Sequence, residues 1–140
     1  MLISARPSAS WDWVGQALSA LCIVHCVALP LMWGLLPSAA AEMLEGEWLH
    51  QALIGFVGIT ALAAFVPGFF LHRRVSVPGL AVLALVLLFG AAFLLPEEHE
   101  GFEAFETGLT LGGGALMTCA HWRNRMLCRE CCAPPAPPTS

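Results

Sequence analysis

Four long apolar runs constrain this chain more than any other feature. They cover about 13–36, 48–71, 75–95 and 105–122, the first bounded by Asp12 and Pro37. Each is 18 to 24 residues long, close to the ~20 residues a helix needs to cross a hydrocarbon core. Backbone in lipid must satisfy its own hydrogen bonds, and no barrel-like alternation of polar and apolar residues is present, so helices are the only reading. The expected fold is all-α: an integral membrane bundle of four transmembrane helices. Composition agrees, with 58% of residues apolar, 11% charged and no tyrosine. Nucleic-acid binding is excluded as a main task, because six basic residues against ten acidic ones leave no field for a phosphate backbone.

Charge placement orients the bundle. All six arginines (Arg6, Arg73, Arg74, Arg123, Arg125 and Arg129) lie in the N-terminus, the second connection and the C-terminal segment. Glu42, Glu45, Glu47, Glu97, Glu98 and Glu100 fill the first and third connections. The positive-inside rule then puts both termini in the cytoplasm and two acidic loops outside. The first run is too long for the 7–15-residue core of a cleaved signal peptide, so it is read as a span. Residues 1–132 form one membrane domain, and the proline-rich 133–140 a disordered tail.

The chemistry-bearing residues fall into two groups. In the first span, Cys22, His25 and Cys26 stand at i, i+3 and i+4, which places them on one helix face. Counted from either end of that run they lie near the midplane, where a polar side chain is costly and points to function. Pro30 leaves the carbonyl of Cys26 without its usual helical partner. A plainer reading is a packing stripe of small residues, Gly15, Ser19, Cys22 and Cys26, facing Gly108, Gly112, Ala115 and Cys119. The histidine between the cysteines favours metal binding.

The second group is the juxtamembrane Cys128-Arg129-Glu130-Cys131-Cys132. Neighbouring arginines raise the thiolate fraction that binds metal, and the set reads as a hand-off site; palmitoylation is the competing reading. Four more histidines sit at span boundaries: His50 and His99 on the outer side, His72 and His121 on the inner side. They are candidates for accessory metal ligands or for interfacial anchors.

Together these features resemble the MerC family of inner-membrane mercury transport proteins. The resemblance rests on the Cys/His group followed by proline, on Leu71-His72-Arg73-Arg74 ending the second span, and on the His121-x-x-Asn124-Arg125…Cys…Cys segment. It covers about Gly15 to Cys132. It implies a multi-pass protein of the bacterial inner membrane that takes mercuric ion from the periplasm onto Cys22 and Cys26. The ion then passes to Cys128 with Cys131 or Cys132. The family spacing is Cys-x-x-Cys; here His25 stands where the second thiol would fall, and Cys26 follows it.

Ion chemistry suits the arrangement. An isolated ion in oil costs on the order of tens of kcal/mol, whereas two thiolates make a divalent cation neutral. Mercuric ion accepts two sulfurs in a line. Copper(I) is the rival cargo, since one thiolate and a neutral imidazole would cancel its charge. A thiol oxidoreductase is the alternative of another class, but neither outer loop holds a cysteine. No enzyme activity and no permanent cofactor are expected. The expected partners are the bilayer, the soft ion and a cytoplasmic thiol acceptor or reductase.

Overall fold

The computed structural model describes residues 7–32, 35, 37, 47–94 and 103–132. It comprises α1 (Pro7–Met32), α2 (Glu47–His72), α3 (Ser76–Phe93) and α4 (Glu103–Glu130), with no strand among the described residues. The two acidic loops, including His99, and the tail 133–140 lie outside them.

Two helices outrun the apolar runs that mark them. α1 begins at Pro7, whose fixed φ and missing N–H suit a first helical position. Asp12 therefore stands in its second turn and not outside the span. The helix also stops at Met32, two residues beyond Pro30, so Cys22 and Cys26 lie toward its C-terminal end rather than at its centre. α4 continues eight residues past Trp122, because His121, Asn124 and Cys128 recur at helical spacing and are buried against other helices.

The other boundaries have local causes. α2 runs through Pro67 and closes on Arg73, which has φ 55° and donates its N–H to the carbonyl of Phe69 at 2.8 Å. A left-handed residue after the last turn is a common helix stop. Pro78 is tolerated in the first turn of α3, where N–H groups lack intrahelical partners in any case.

The core is built from small side chains. In α3, Val77, Ala81, Ala84, Leu88 and Ala91 are buried, alternating steps of four and three as in a coiled-coil seam. All but Ala91 cluster with Val57, Ala61, Ala64 and Phe65 of α2 and Met117 and Ala120 of α4. Such residues let helices approach closely where lipid removes the hydrophobic drive to associate.

The outside is apolar and much of the inside is polar. Leu62, Val66, Phe70, Val82, Val86 and Phe89 are exposed, whereas Asp12, Ser19, Thr60, Thr110, His121 and Asn124 are buried. Only a hydrocarbon surround accommodates that distribution. Ser10–Ala28, Gln51–His72 and Ser76–Phe93 are long and apolar enough to cross a membrane. The expected fourth run is diluted by its threonines, His121 and four glycines. Even so, α4 lies alongside the others: Gly114 abuts Ser19 and Ile23 of α1, and Gly113 abuts Ala84 and Leu88 of α3.

Asp12 contacts His121, and His72 contacts Asn124. One end of the bundle therefore gathers the start of α1, the α2–α3 connection and the end of α4, with Arg73, Arg74, Arg123, Arg125 and Arg129 around it. The seam sets a clear expectation. Ala84→Leu, at a fully buried position, should lower unfolding stability by about 1–3 kcal/mol through overpacking. Val82→Leu on the lipid face should be close to neutral, both measured by thermal unfolding in detergent micelles.

Candidate metal centre

Around the cysteines of α1 the large exposed side chains are Leu21, Val24 and Val27. Cys22 is buried, and His25 and Cys26 are half-buried on the side turned toward the bundle. The thiols of Cys22 and Cys26, one turn apart, hydrogen-bond to each other, and the Glu106 carboxylate of α4 lies close enough to Cys26 to act on it electrostatically. Among the described residues, no three or more His, Cys, Asp or Glu side chains converge on one point. The chemistry on offer at this place is therefore a two-sulfur site. That suits a cation satisfied by two ligands better than zinc, which takes four.

At the other end, Cys128 is 2% exposed and shares the buried face of α4 with His121 and Asn124. Cys131 and Cys132 are exposed. The chain stays wound as it leaves α4, with Cys131 N–H donating to Leu127 at 3.0 Å and Cys132 N–H to Arg129 at 3.2 Å. Cys128 thus stands one turn from both. Cys119 is exposed on α4 and belongs to neither group.

Between the two thiol groups lies a buried polar network that the sequence did not announce. Asp12 is fully buried, with Oδ1 3.0 Å from Nδ1 of His121 and Oδ2 2.8 Å from Nδ2 of Asn124. A carboxylate only accepts, so the His121 Nδ1–H and the Asn124 amide both donate to it. The same amide nitrogen reaches the carbonyl of Ala64 at 3.3 Å. Asn124 Oδ1 must then accept from His72 Nε2, 3.0 Å away. His72 Nδ1 in turn accepts the N–H of Arg74 at 3.0 Å, a bond made available by the left-handed turn at Arg73. One proton assignment satisfies every contact.

Two glycines make room for this network. A Cβ on Gly15 would overlap three atoms of the His121 ring at once, so Gly15 lies over the face of the imidazole. A Cβ on Gly68 would overlap the Asn124 amide. Phe65 also stacks on His121, centroids 4.5 Å apart.

The accessory histidines now separate. His72 has both ring nitrogens engaged, which leaves none open to a cation and makes it a buried structural residue, not a boundary anchor. His121 keeps one nitrogen: Nε2 is buried and takes no hydrogen bond. A histidine held by a carboxylate through one nitrogen with the other free is the form in which imidazole presents itself to metals. His50 stands in the first turn of α2, its side chain outside the described residues, as is all of His99. Asp12 and Asn124 were missed because each sits at the apparent edge of an apolar run. The one available signal was the i, i+3 pairing of His121 with Asn124.

A family model described as MerC mercury resistance protein matches residues 12–126. The chain belongs to the MerC family. The match begins at Asp12 and ends two residues past Asn124, so it takes in the first-helix cysteines and the whole polar network; Cys128, Cys131 and Cys132 fall beyond it. No curated protein and no solved structure matches the chain. Membership ties the chain to mercury resistance and to membrane transport.

The network should carry measurable stability. Asn124→Leu strands the His72 Nε2–H and one oxygen of Asp12, and an unpaired buried group costs about 1–3 kcal/mol, more when charged. A loss of at least that size is expected in micelle unfolding; a change under about 0.5 kcal/mol, the usual range for neutral surface substitutions, would show that the network does not hold the helices.

Proposed function

We propose that this protein moves a soft cation, mercuric ion in the first place, across the bacterial inner membrane by ligand exchange between thiols. The observation that carries the reading is the thiol–thiol contact of Cys22 and Cys26 inside an apolar helix of a MerC-family chain. The arginine-bearing end of the bundle faces the cytoplasm, as positive charge flanking spans does, so the cysteine pair lies toward the periplasmic side. The acidic outer loops attract the ion. Cys26, the outer of the two, binds first and Cys22 second, with release of both thiol protons. The adduct is neutral, which removes most of the cost of placing a dication in oil.

The tail thiols are too far away for a direct exchange. Cys22 lies near the level of Gly114, which abuts Ser19 and Ile23, and from there to Cys128 is fourteen residues of α4, about 21 Å. His121 stands half-way along that path, its Nε2 without a hydrogen bond, and Asp12 places a negative charge on the opposite nitrogen. His121 is thus the accessory ligand this reading retains. Cys128 with Cys131 or Cys132 receives the ion, and cytoplasmic thiols or a reductase draw it away. Copper(I) remains the second cargo, because His25, one turn after Cys22, offers the one-thiolate, one-imidazole pair that would make it neutral.

Cells that express the protein without a mercury-detoxifying reductase should become more sensitive to mercuric chloride. Cys22→Ser and Cys26→Ser should each abolish the effect at unchanged membrane levels. Equal sensitisation by the double variant would overturn the transport reading. Metal analysis of protein purified after loading with mercury or copper(I) decides the cargo.

A further inference from the structure

On the outer face of α2 and α3, where they diverge from their short connection, runs a groove of about 460 Å³. Its walls include Phe65, Phe69 and Phe70 from α2, Val75 from the connection, and Pro78 and Val82 from α3. The lining is almost wholly apolar and extends from Ala61 to Phe70 along α2, about 14 Å at helical rise. That is close to half of a ~30 Å hydrocarbon core, so the groove spans one leaflet. The transport path uses none of it.

Its mouth carries the two arginines of the α2–α3 connection. Arg73, turned by its positive φ, holds its guanidinium 5.5 Å from the centre of the Phe70 ring, itself a wall of the groove. Arg74 is exposed beside it, its backbone tied to His72. Among the described residues no carboxylate pairs with either guanidinium. A chain-wide apolar slot that ends in two unneutralised guanidiniums at the headgroup level is complementary to one class of molecule. We propose that the groove is a specific site for an anionic phospholipid, with an acyl chain between α2 and α3 and the phosphate on Arg73 and Arg74. Basic pockets between spans at the cytoplasmic surface recognise anionic headgroups in this way, and guanidinium matches phosphate in a fork that ammonium cannot. Phe65 forms the wall between the groove and the His121 ring, so a bound chain also backs the polar network.

The test compares dioleoyl phosphatidylglycerol with dioleoyl phosphatidylcholine, which differ in the headgroup alone. Detergent-purified protein is titrated with each and read by native mass spectrometry and by thermal unfolding. The wild-type chain should retain phosphatidylglycerol roughly tenfold more readily and gain stability from it. Arg73→Gln with Arg74→Gln should erase the preference, and Arg73→Lys with Arg74→Lys should keep part of it. Val82→Trp, which fills the groove, should weaken binding of both lipids. Displacement of phosphatidylglycerol by an equal concentration of phosphatidylcholine from the wild-type chain would overturn the proposal whatever the variants do. So would an intact preference in the double glutamine variant. Neither result bears on cargo transport, which the cysteine variants test.

Discussion

Burying a carboxylate inside a bundle that itself sits in oil is the constraint around which this structure is arranged. Asp12 has no access to solvent, and an uncompensated charge there would cost several kcal/mol even after relaxation. The chain meets that demand with three donors on other helices or linked to them: His121 and Asn124 directly, and His72 through Asn124. Satisfying Asp12 therefore fixes the relative placement of α1, α2 and α4. In lipid, where apolar burial gives helices no reason to prefer one another, such polar contacts carry much of the specificity. The small residues follow from the same constraint. Gly15 and Gly68 leave space for the His121 ring and the Asn124 amide, and the alanine seam of α3 lets α4 come close enough to deliver them.

The arrangement makes the two ends of the molecule unlike. The arginine-rich end is tied by directional hydrogen bonds across three helices. At the level of Cys22 and Cys26 the two thiols hydrogen-bond to each other, and the Glu106 carboxylate of α4 acts on Cys26. The family match stops soon after the last residue of the network and before the tail cysteines.

Much of this was legible in the sequence, for identifiable reasons. Four runs of spanning length and a clean division of arginines from glutamates are local features, readable without partners, and they gave the helices and their alternation. The cysteine pair was legible because one turn of helix suffices to bring it together. The network was not. Asp12 and His121 are 109 residues apart, and Asp12 and Asn124 are 112 apart. Each taken alone looks like a polar residue where a span meets water, and whether it ends the span or is drawn inside depends on a partner that the local pattern does not reveal. The depth of the cysteines moved for the same reason: once Asp12 is taken into α1, the helix shifts toward its N-terminal side and the thiols approach the far end.

The position of His25 bears on what the pair can carry. In the family spacing the second thiol stands three residues after the first, and here an imidazole occupies that place. With a dication, one thiolate and one neutral imidazole leave a net positive charge, and that adduct would lose the advantage of neutrality in oil. Neutrality for mercuric ion requires both sulfurs, and the residue that supplies the second is Cys26, one position later. Spacings of three and four are both within about one turn, so the shift preserves the contact while moving the second thiol about 100° around the helix, the angle per residue of an α-helix. In its shifted place the second thiol, Cys26, is within electrostatic reach of the Glu106 carboxylate of α4. The charge count for mercuric ion therefore closes on the two thiols without His25.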